Sequence, residues 1–354
     1  MAEPTHELTP EPTPEPTPEP ADEFLATVVV LTYNGERYLR DLLNAVTVQR
    51  IEGAVEILVI DSGSTDATLD IVADFPQVRL VQIPNSEFGH GRTRNFAAHQ
   101  ANGRYVAYLT HDAVPAHDRW LYELLKPFEL SERVVAVMGS QVPRPWCFPL
   151  LKYEINAVFE GFGPGFGTTL FYDDDFITSE GVRNAVTFYS DVNSAARRDI
   201  LTGPVPYQDV SYAEDQLFGR DVIAAGYIKA YAPRASAVHS NDLTLAEYDE
   251  RMAEETMGQR EVGIDVAVPS VGVVGRMMLR GIAKDTMRLL RDRDFRARRK
   301  AYYLAVGPLY HLQKWRGVRR GARAELPAPV VPIASVRAGA DHGPGQSSDE
   351  GRTA

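Results

Sequence analysis

Three observations predict an α/β fold with a mostly parallel central sheet flanked by helices. Short β-branched runs alternate with segments of helical length through the first third of this 354-residue chain, which is the rhythm of βαβ units. The first two runs stop abruptly in small polar residues, Thr32-Tyr33-Asn34-Gly35-Glu36 and Asp61-Ser62-Gly63-Ser64-Thr65-Asp66. Apolar residues make up 44% of the chain and charged residues 24%, so a sizeable core is available.

In order along the chain, Thr27–Leu31 reads as the first strand and 36–50 as the helix after it. Glu56–Ile60 is the second strand, and Ser64, Thr65 and Asp66 supply side chains able to cap a helix running to Phe75. Val78–Gln82 is a third strand, Arg92–Ala101 a helix, and Tyr105–Leu109 a fourth, buried strand. Val134–Ser140 reads as another strand. The prolines at 143, 145 and 149 and the glycines at 161, 163, 165 and 167 then predict a long irregular loop over 141–167 around the mouth of a site. A helix is expected over Ala213–Ala225, with short strands at Ile228–Ala232 and Ala235–Val238. From Leu245 the pattern is helical, including Val273–Leu290 and Arg296–Arg316, the latter broken or kinked at Pro308.

This divides the chain into a Glu/Pro/Thr tail (1–22), a catalytic domain (23–245), a basic helical extension (246–325) and a second tail (326–354). Both tails are expected to be disordered, because they offer a core too little to offset their ordering entropy. A single cysteine, Cys147, excludes a disulfide framework and a multi-cysteine zinc site. No run approaches a membrane span and the N-terminus lacks an apolar signal core, so the expected compartment is the cytoplasm.

Two strand ends side by side make a crevice of the kind in which open α/β sheets bind nucleotides. Neither carries G-x-G-x-x-G. Their hydroxyls, amide and carboxylates suit a base and ribose better than a pyrophosphate, and Asp61 is placed to accept from a pyrimidine N3–H. Asp112, delivered by the apolar strand 106–109, is a candidate metal ligand, since a carboxylate beside a diphosphate needs a divalent cation between them. Its plain alternative is a helix cap. Glu214 and Asp215 open a helix whose dipole favours them. The sharper reading makes Asp215 a general base toward an acceptor hydroxyl. His239 follows a strand and either completes the cation site or is structural.

Six pieces in this order, residues 30–36, 60–66, 88–95 (Phe-Gly-His-Gly-Arg-Thr-Arg-Asn), 109–115, 213–215 and 238–240, resemble the family 2 glycosyltransferases of the GT-A fold. The resemblance is closest to bacterial rhamnosyltransferases and covers about Thr27 to Met257. It implies nucleotide-sugar contacts at Thr32, Asn34, Glu36, Asp61, Ser62, Arg94 and His111. It also implies a catalytic pair, Glu214 and Asp215, with Asp215 the inverting base, and Mg²⁺ or Mn²⁺ on Asp112 and His239. The implied donor is dTDP-rhamnose and the acceptor a cell-envelope glycan or a lipid-linked one. Three departures leave the donor sugar less determined than the reaction class. Thr110 stands where many relatives carry a carboxylate, His111 where rhamnosyltransferases commonly have glutamine, and Asn241 where a second histidine is frequent. A UDP-hexose donor is therefore the alternative. A catalytically silent nucleotide-sugar-binding module is a third reading, opposed by the retention of Asp112 and Asp215.

The net charge of −11 hides a basic C-terminal block: Arg276 to Arg323 carries fifteen Lys/Arg against Asp285, Asp292 and Asp294. Within 273–323 these cations alternate with Met, Leu and Tyr. That pattern suits peripheral docking at the inner face of the cell membrane, or equally a helical pair packed on the catalytic domain with its arginines in solvent. No recognition motif accompanies the charge, so nucleic acid is not an expected partner.

Overall fold

The computed structural model describes residues 24–326 apart from 175–178, 242, 262 and 265; the expected tail 1–22, and the expected tail 326–354 beyond Leu326, lie outside the described residues. The strands are β1 (Phe24–Thr32), β2 (Val55–Asp61), β3 (Val78–Gln82), β4 (Gly103–Thr110), β5 (Val114–Pro115), β6 (Val134–Val142), β7 (Thr169–Phe171), β8 (Asn193–Arg197) and β9 (Ile228–Val238). The helices of the first half are α1 (Leu39–Thr47), α2 (Thr68–Ala73), α3 (His90–Gln100), α4 (Trp120–Leu125) and α5 (Pro149–Glu160). They are followed by α6 (Glu180–Thr187), α7 (Arg198–Leu201), α8 (Glu214–Ala224), α9 (Leu245–Glu261), α10 (Val271–Arg291) and α11 (Ala297–Arg323).

One sheet organises the molecule, in the order β3-β2-β1-β4-β8-β6-β9-β5 with β7 beside β9. The run β3-β2-β1-β4 is parallel. β8 is antiparallel to both β4 and β6, and β6 is parallel to β9. It follows that β1, β2, β4, β6 and β9 all end at one edge, and that β8 starts there. Because helices cover both faces, the strands are apolar on both sides. Val28, Val30, Val59 and Leu109 pack with Leu42, Leu43 and Trp120 on one face. Val29, Leu58, Ile60 and Val106 pack with Ala97 and Phe218 on the other. Each such side chain contributes roughly 1.5–3 kcal/mol when fully buried.

The structure corrects the reading of several segments. Residues 141–167 are not an irregular loop, because α5 occupies Pro149–Glu160. Pro149 begins that helix instead of breaking it, since a first-turn residue needs no N–H partner, and Leu150, Tyr153 and Phe159 bury its inner face. Pro308 likewise lies inside α11 without ending it. β9 is one strand with a register shift opposite Gly139 and Ser140, where two short strands are expected from the sequence. α1 starts only at Leu39, because Asn34 and Glu36 bond to the neighbouring loop.

The C-terminal helices are fastened to the sheet-bearing part of the fold by an aromatic cluster. Phe148 stacks on Tyr310 at 4.2 Å and meets Tyr248 edge-on at 5.1 Å. Gly317 and Gly321 let α11 lie against α9: a Cβ at either position would come within 2.3 Å of a backbone carbonyl, of Asp249 and Ala253 respectively. Among the described residues no helix is long and apolar enough to cross a membrane.

Candidate active site

The ends of β1 and β2 are knitted into one crevice wall by reciprocal hydrogen bonds. Asn34, at φ +50°, donates its backbone N–H to Ser64 Oγ, and its Oδ1 accepts from Thr65 N–H at 2.9 Å. Glu36 receives Ala67 N–H on Oε2 at 3.0 Å and donates its own N–H to Asp66. Asp66 also accepts from Thr68 N–H, although the cap position of α2 is taken by Ala67 and not by one of the three polar residues the sequence offers. Asp61 is fully buried. Its carboxylate accepts from the N–H groups of Gly63 and Ser64, both at 3.0 Å, and from the hydroxyls of Thr32 and Ser64. Ser62 donates to Thr32 O. Thr32, Asp61 and Ser62 thus shape the crevice from below, Asp61 spending its carboxylate on Thr32, Gly63 and Ser64 and not standing open to a base as the sequence suggests, while Asn34 and Glu36 reach the exposed rim.

Across the crevice, β4 delivers Thr110-His111-Asp112. His111 packs so closely on Gly35 that a Cβ there would lie 3.2 Å from its ring, which joins this loop to the first. His239, just beyond β9, comes to Asp112: Nε2 is 3.3 Å from Oδ2. The other ring nitrogen lies 3.0 Å from Gln141 Oε1, an acceptor, so a proton on Nδ1 would be held there. In neutral His239, Nε2 then presents a lone pair to a carboxylate oxygen, and two acceptors face each other. A proton or a cation must sit between them, so the pair fits a divalent ion. Among the described residues no third His, Cys, Asp or Glu joins them. Such an ion would complete its shell with water and phosphate oxygens, as Mg²⁺ and Mn²⁺ do. Burial opposes the charge of Asp112; where a proton and not an ion fills the gap, the hydrogen bond it makes from His239 and the nearby imidazoles of His239 and His111 outweigh burial and hold the carboxyl well below the usual range.

Arg144 completes this corner and is not among the residues the sequence picks out. It is buried just beyond β6 and donates to the backbone carbonyls of Asp112 and Ser240. Its guanidinium lies 3.6 Å from Asp112 Oδ2 and 3.9 Å from the centre of the Tyr38 ring. One arginine therefore ties together the three loops that carry Tyr38, Asp112 and Ser240.

Asp215 lies on the same edge through β8. Asp191, just before that strand, donates its N–H to Asp215 Oδ2 at 3.4 Å. Ala213, the residue preceding α8, is held at φ +60°, an unfavourable conformation for a residue with a Cβ, and it aims the Glu214-Asp215 pair. Beneath them lies a buried charge network. Arg94 ion-pairs with Glu214 and, at 3.1 Å, with Asp191. Asp191 also accepts from Ser194 and Tyr207 hydroxyls at 2.7 and 2.8 Å. Burial opposes the charge on Arg94, and Asp191 and Glu214 more than offset that. Burial, then repulsion from Glu214 and Asp191, pushes the Asp215 carboxyl up to about 8.

Two assignments implied by the resemblance change here. Arg94 does not reach the nucleotide, since its side chain is only 7% exposed and is taken up by two carboxylates. Glu214 is its buried partner and not a second proton acceptor. The 88–95 segment is an anchor: Asn95 clamps the backbone of Tyr207 in both directions, at 2.8 and 2.9 Å. A Cβ on Gly91 would fall 2.0 Å from Gln208 O. Asp191 and Arg144 escape a reading of the sequence because the one precedes an unrecognised strand and the other sits in a stretch read as loop. A cation directly after a strand end, Arg144 in Pro-Arg-Pro, is the signal that was available.

Known proteins resemble this chain in both sequence and fold. A family model described as glycosyl transferase family 2 matches residues 27–202. The O-antigen chain rhamnosyltransferase WbaN of Salmonella anatum is 32% identical over 223 residues, covering 62% of this chain and 67% of that protein. The O-antigen chain rhamnosyltransferase RfbN of Salmonella typhimurium is 28% identical over 227 residues, covering 64% and 69%. Among solved structures, a mannosyltransferase of Pyrobaculum calidifontis in complex with GDP-Man and Mn²⁺ superposes with a TM-score of 0.52 at 19% identity, over 86% of this chain and 87% of that one. That likeness is one of fold.

Proposed function

The chain belongs to glycosyl transferase family 2 and has the GT-A fold, and from that premise we propose that it transfers L-rhamnose from dTDP-rhamnose to a hydroxyl of a cell-envelope glycan or a lipid-linked acceptor, with inversion. The rhamnosyltransferases WbaN and RfbN support the choice of sugar. The proposal places the protein in the cytoplasm, where nucleotide sugars are made available to it.

The observation that carries the mechanism is Asp215, a partly exposed carboxylate whose proton affinity is raised to about 8 at the edge shared with the crevice. A general base works best with a pKa near the operating pH. Asp215 accepts the proton of the acceptor hydroxyl as that oxygen attacks the anomeric carbon from the face opposite the nucleotide. Asn34 and Glu36 at the rim, over Thr32, Asp61 and Ser62, orient the base and ribose, and His111 closes the side toward the phosphates. Asp112 and His239 would hold Mg²⁺ or Mn²⁺, whose chemistry there is to offset charge on the departing nucleoside diphosphate. Gln141 keeps the His239 proton on Nδ1, leaving Nε2 free to ligate.

The test is a panel of nucleotide sugars assayed with a glycan or lipid-linked acceptor. Turnover is expected to be highest with dTDP-rhamnose and to be lost on chelation, returning with Mg²⁺ or Mn²⁺. Preference for a UDP-hexose would move the donor assignment, and turnover indifferent to chelator would remove the metal role from Asp112 and His239.

A further inference from the structure

We propose that the outward face of α10 and of α11 as far as Arg316 is a docking surface for an anionic lipid bilayer. On α10, Leu279, Met287 and Leu290 are 67%, 53% and 57% exposed, and the exposed cations Arg280, Lys284 and Arg291 stand alongside them. At 3.6 residues per turn these six fall within an arc of roughly 140°. On α11 the surface continues through exposed Tyr302, Leu309 and Leu312, with Arg298 and Arg316 beside them.

On the two helices themselves the exposed charge has one sign. α11 contains no Asp or Glu and α10 contains only Asp285. Asp285 is turned inward, 3.1 Å from His311 Nε2 and 3.8 Å from Arg288. In the connection between the helices, Asp292 and Asp294 both reach Lys152 at 2.7 Å. None of the ion pairs among the described residues involves Arg280, Lys284, Arg291 or Arg298. Cations interleaved with large exposed apolar groups match a bilayer whose surface is negative and whose interior is apolar, with the long basic side chains extending back to the headgroups. A neutral apolar partner protein would leave these cations unanswered.

The face is also rigidly joined to the site. Arg299 donates to the carbonyls of Pro145 and Cys147, at 2.6 and 3.3 Å, and Pro145 directly follows the Arg144 that holds the Asp112 loop. Between Pro145 and the start of α11 opens a cleft of about 640 Å³ lined by Arg296, Arg298, Arg299, Tyr302, Tyr303 and one carboxylate, Asp294, which is paired with Lys152; the basic and aromatic majority suits a headgroup phosphate. Docking would thus bring the catalytic rim to the membrane surface. The inference concerns where the enzyme works and does not depend on which sugar it moves.

Flotation of the full chain with vesicles tests this. Binding is expected to vesicles of phosphatidylcholine mixed with phosphatidylglycerol, not to phosphatidylcholine alone, and molar salt should release the protein. Arg280→Glu/Lys284→Glu/Arg298→Glu should lower partitioning at least roughly tenfold. Leu279→Ser/Leu312→Ser should lower it severalfold while keeping the salt dependence. All five positions are exposed, and an unchanged circular-dichroism melt confirms that both variants fold. Equal binding to neutral vesicles, or undiminished binding by the charge-reversed variant, would overturn the proposal. So would a stable dimer of the wild-type chain that the Leu279→Ser/Leu312→Ser variant dissolves, because the face would then belong to a second copy.

Discussion

The two sides of the catalytic crevice are held by different physics. On the donor side, polar side chains are answered by backbone N–H groups and neutral hydroxyls across two loops, and apart from the buried ring of Thr32, Asp61 and Ser62 they sit in or near solvent. On the floor beneath Asp215, one guanidinium is set among Asp191, Glu214 and Asp215 with little solvent. Water can replace a bond lost from the rim, whereas a partner lost from the floor strands a buried charge. The rim is a forgiving cradle. The floor binds the stability of the domain to the proton affinity of Asp215, since the crowding that holds α8 in place also raises that carboxyl.

The largest effect should come from Arg94→Met. Removing the single cation strands Asp191 and Glu214, and the expected loss is about 3–5 kcal/mol, read as a large fall in the urea midpoint. Asn34→Ala sits at the other end. It removes one acceptor from an exposed rim, so stability should fall by roughly 0.5–1.5 kcal/mol, with the loss appearing mainly as a raised donor KM. If the two variants were equally destabilised, the contrast between rim and floor would be broken. If Asn34→Ala were silent in stability but not in KM, it would be sharpened.

Much of the rim is readable from sequence because its signals are local: a β-branched run, buried on both faces, that stops in hydroxyls and carboxylates. Asp112, Asp215 and His239 are readable for the same reason, each standing next to the end of a strand or the start of a helix. The floor is not. β8, Asn193-Ser194-Ala195-Ala196-Arg197, has almost no hydrophobic signature, since between β4 and β6 small residues are what fit. Without β8, Asp191 has no position. The Arg94–Glu214 pair spans 120 residues and no periodicity announces it. Arg144 is hidden by flanking prolines that resemble a loop, although they lead into a helix.

The measurement that bears most directly on the account is the pH dependence of sugar transfer and of stability for wild type and Asp215→Asn, with donor affinity measured alongside. A base must be deprotonated to act, so wild-type kcat/KM should rise with pH as Asp215 ionises, with the free-protein carboxyl at about 8. Asp215→Asn should bind donor normally, lose roughly 10²–10⁴-fold in transfer, and show no such rise. Stability should move the other way. The folded-state pKa lies above the ordinary 3.8, so the folded protein holds its proton more tightly than the unfolded chain and wild type loses stability as pH climbs from that value toward 8. Because Asp215 keeps some solvent contact, the Asn variant should be more stable by only about 1–2 kcal/mol at pH 8, with the advantage shrinking at acid pH. Full transfer by a donor-binding Asp215→Asn variant would contradict the account.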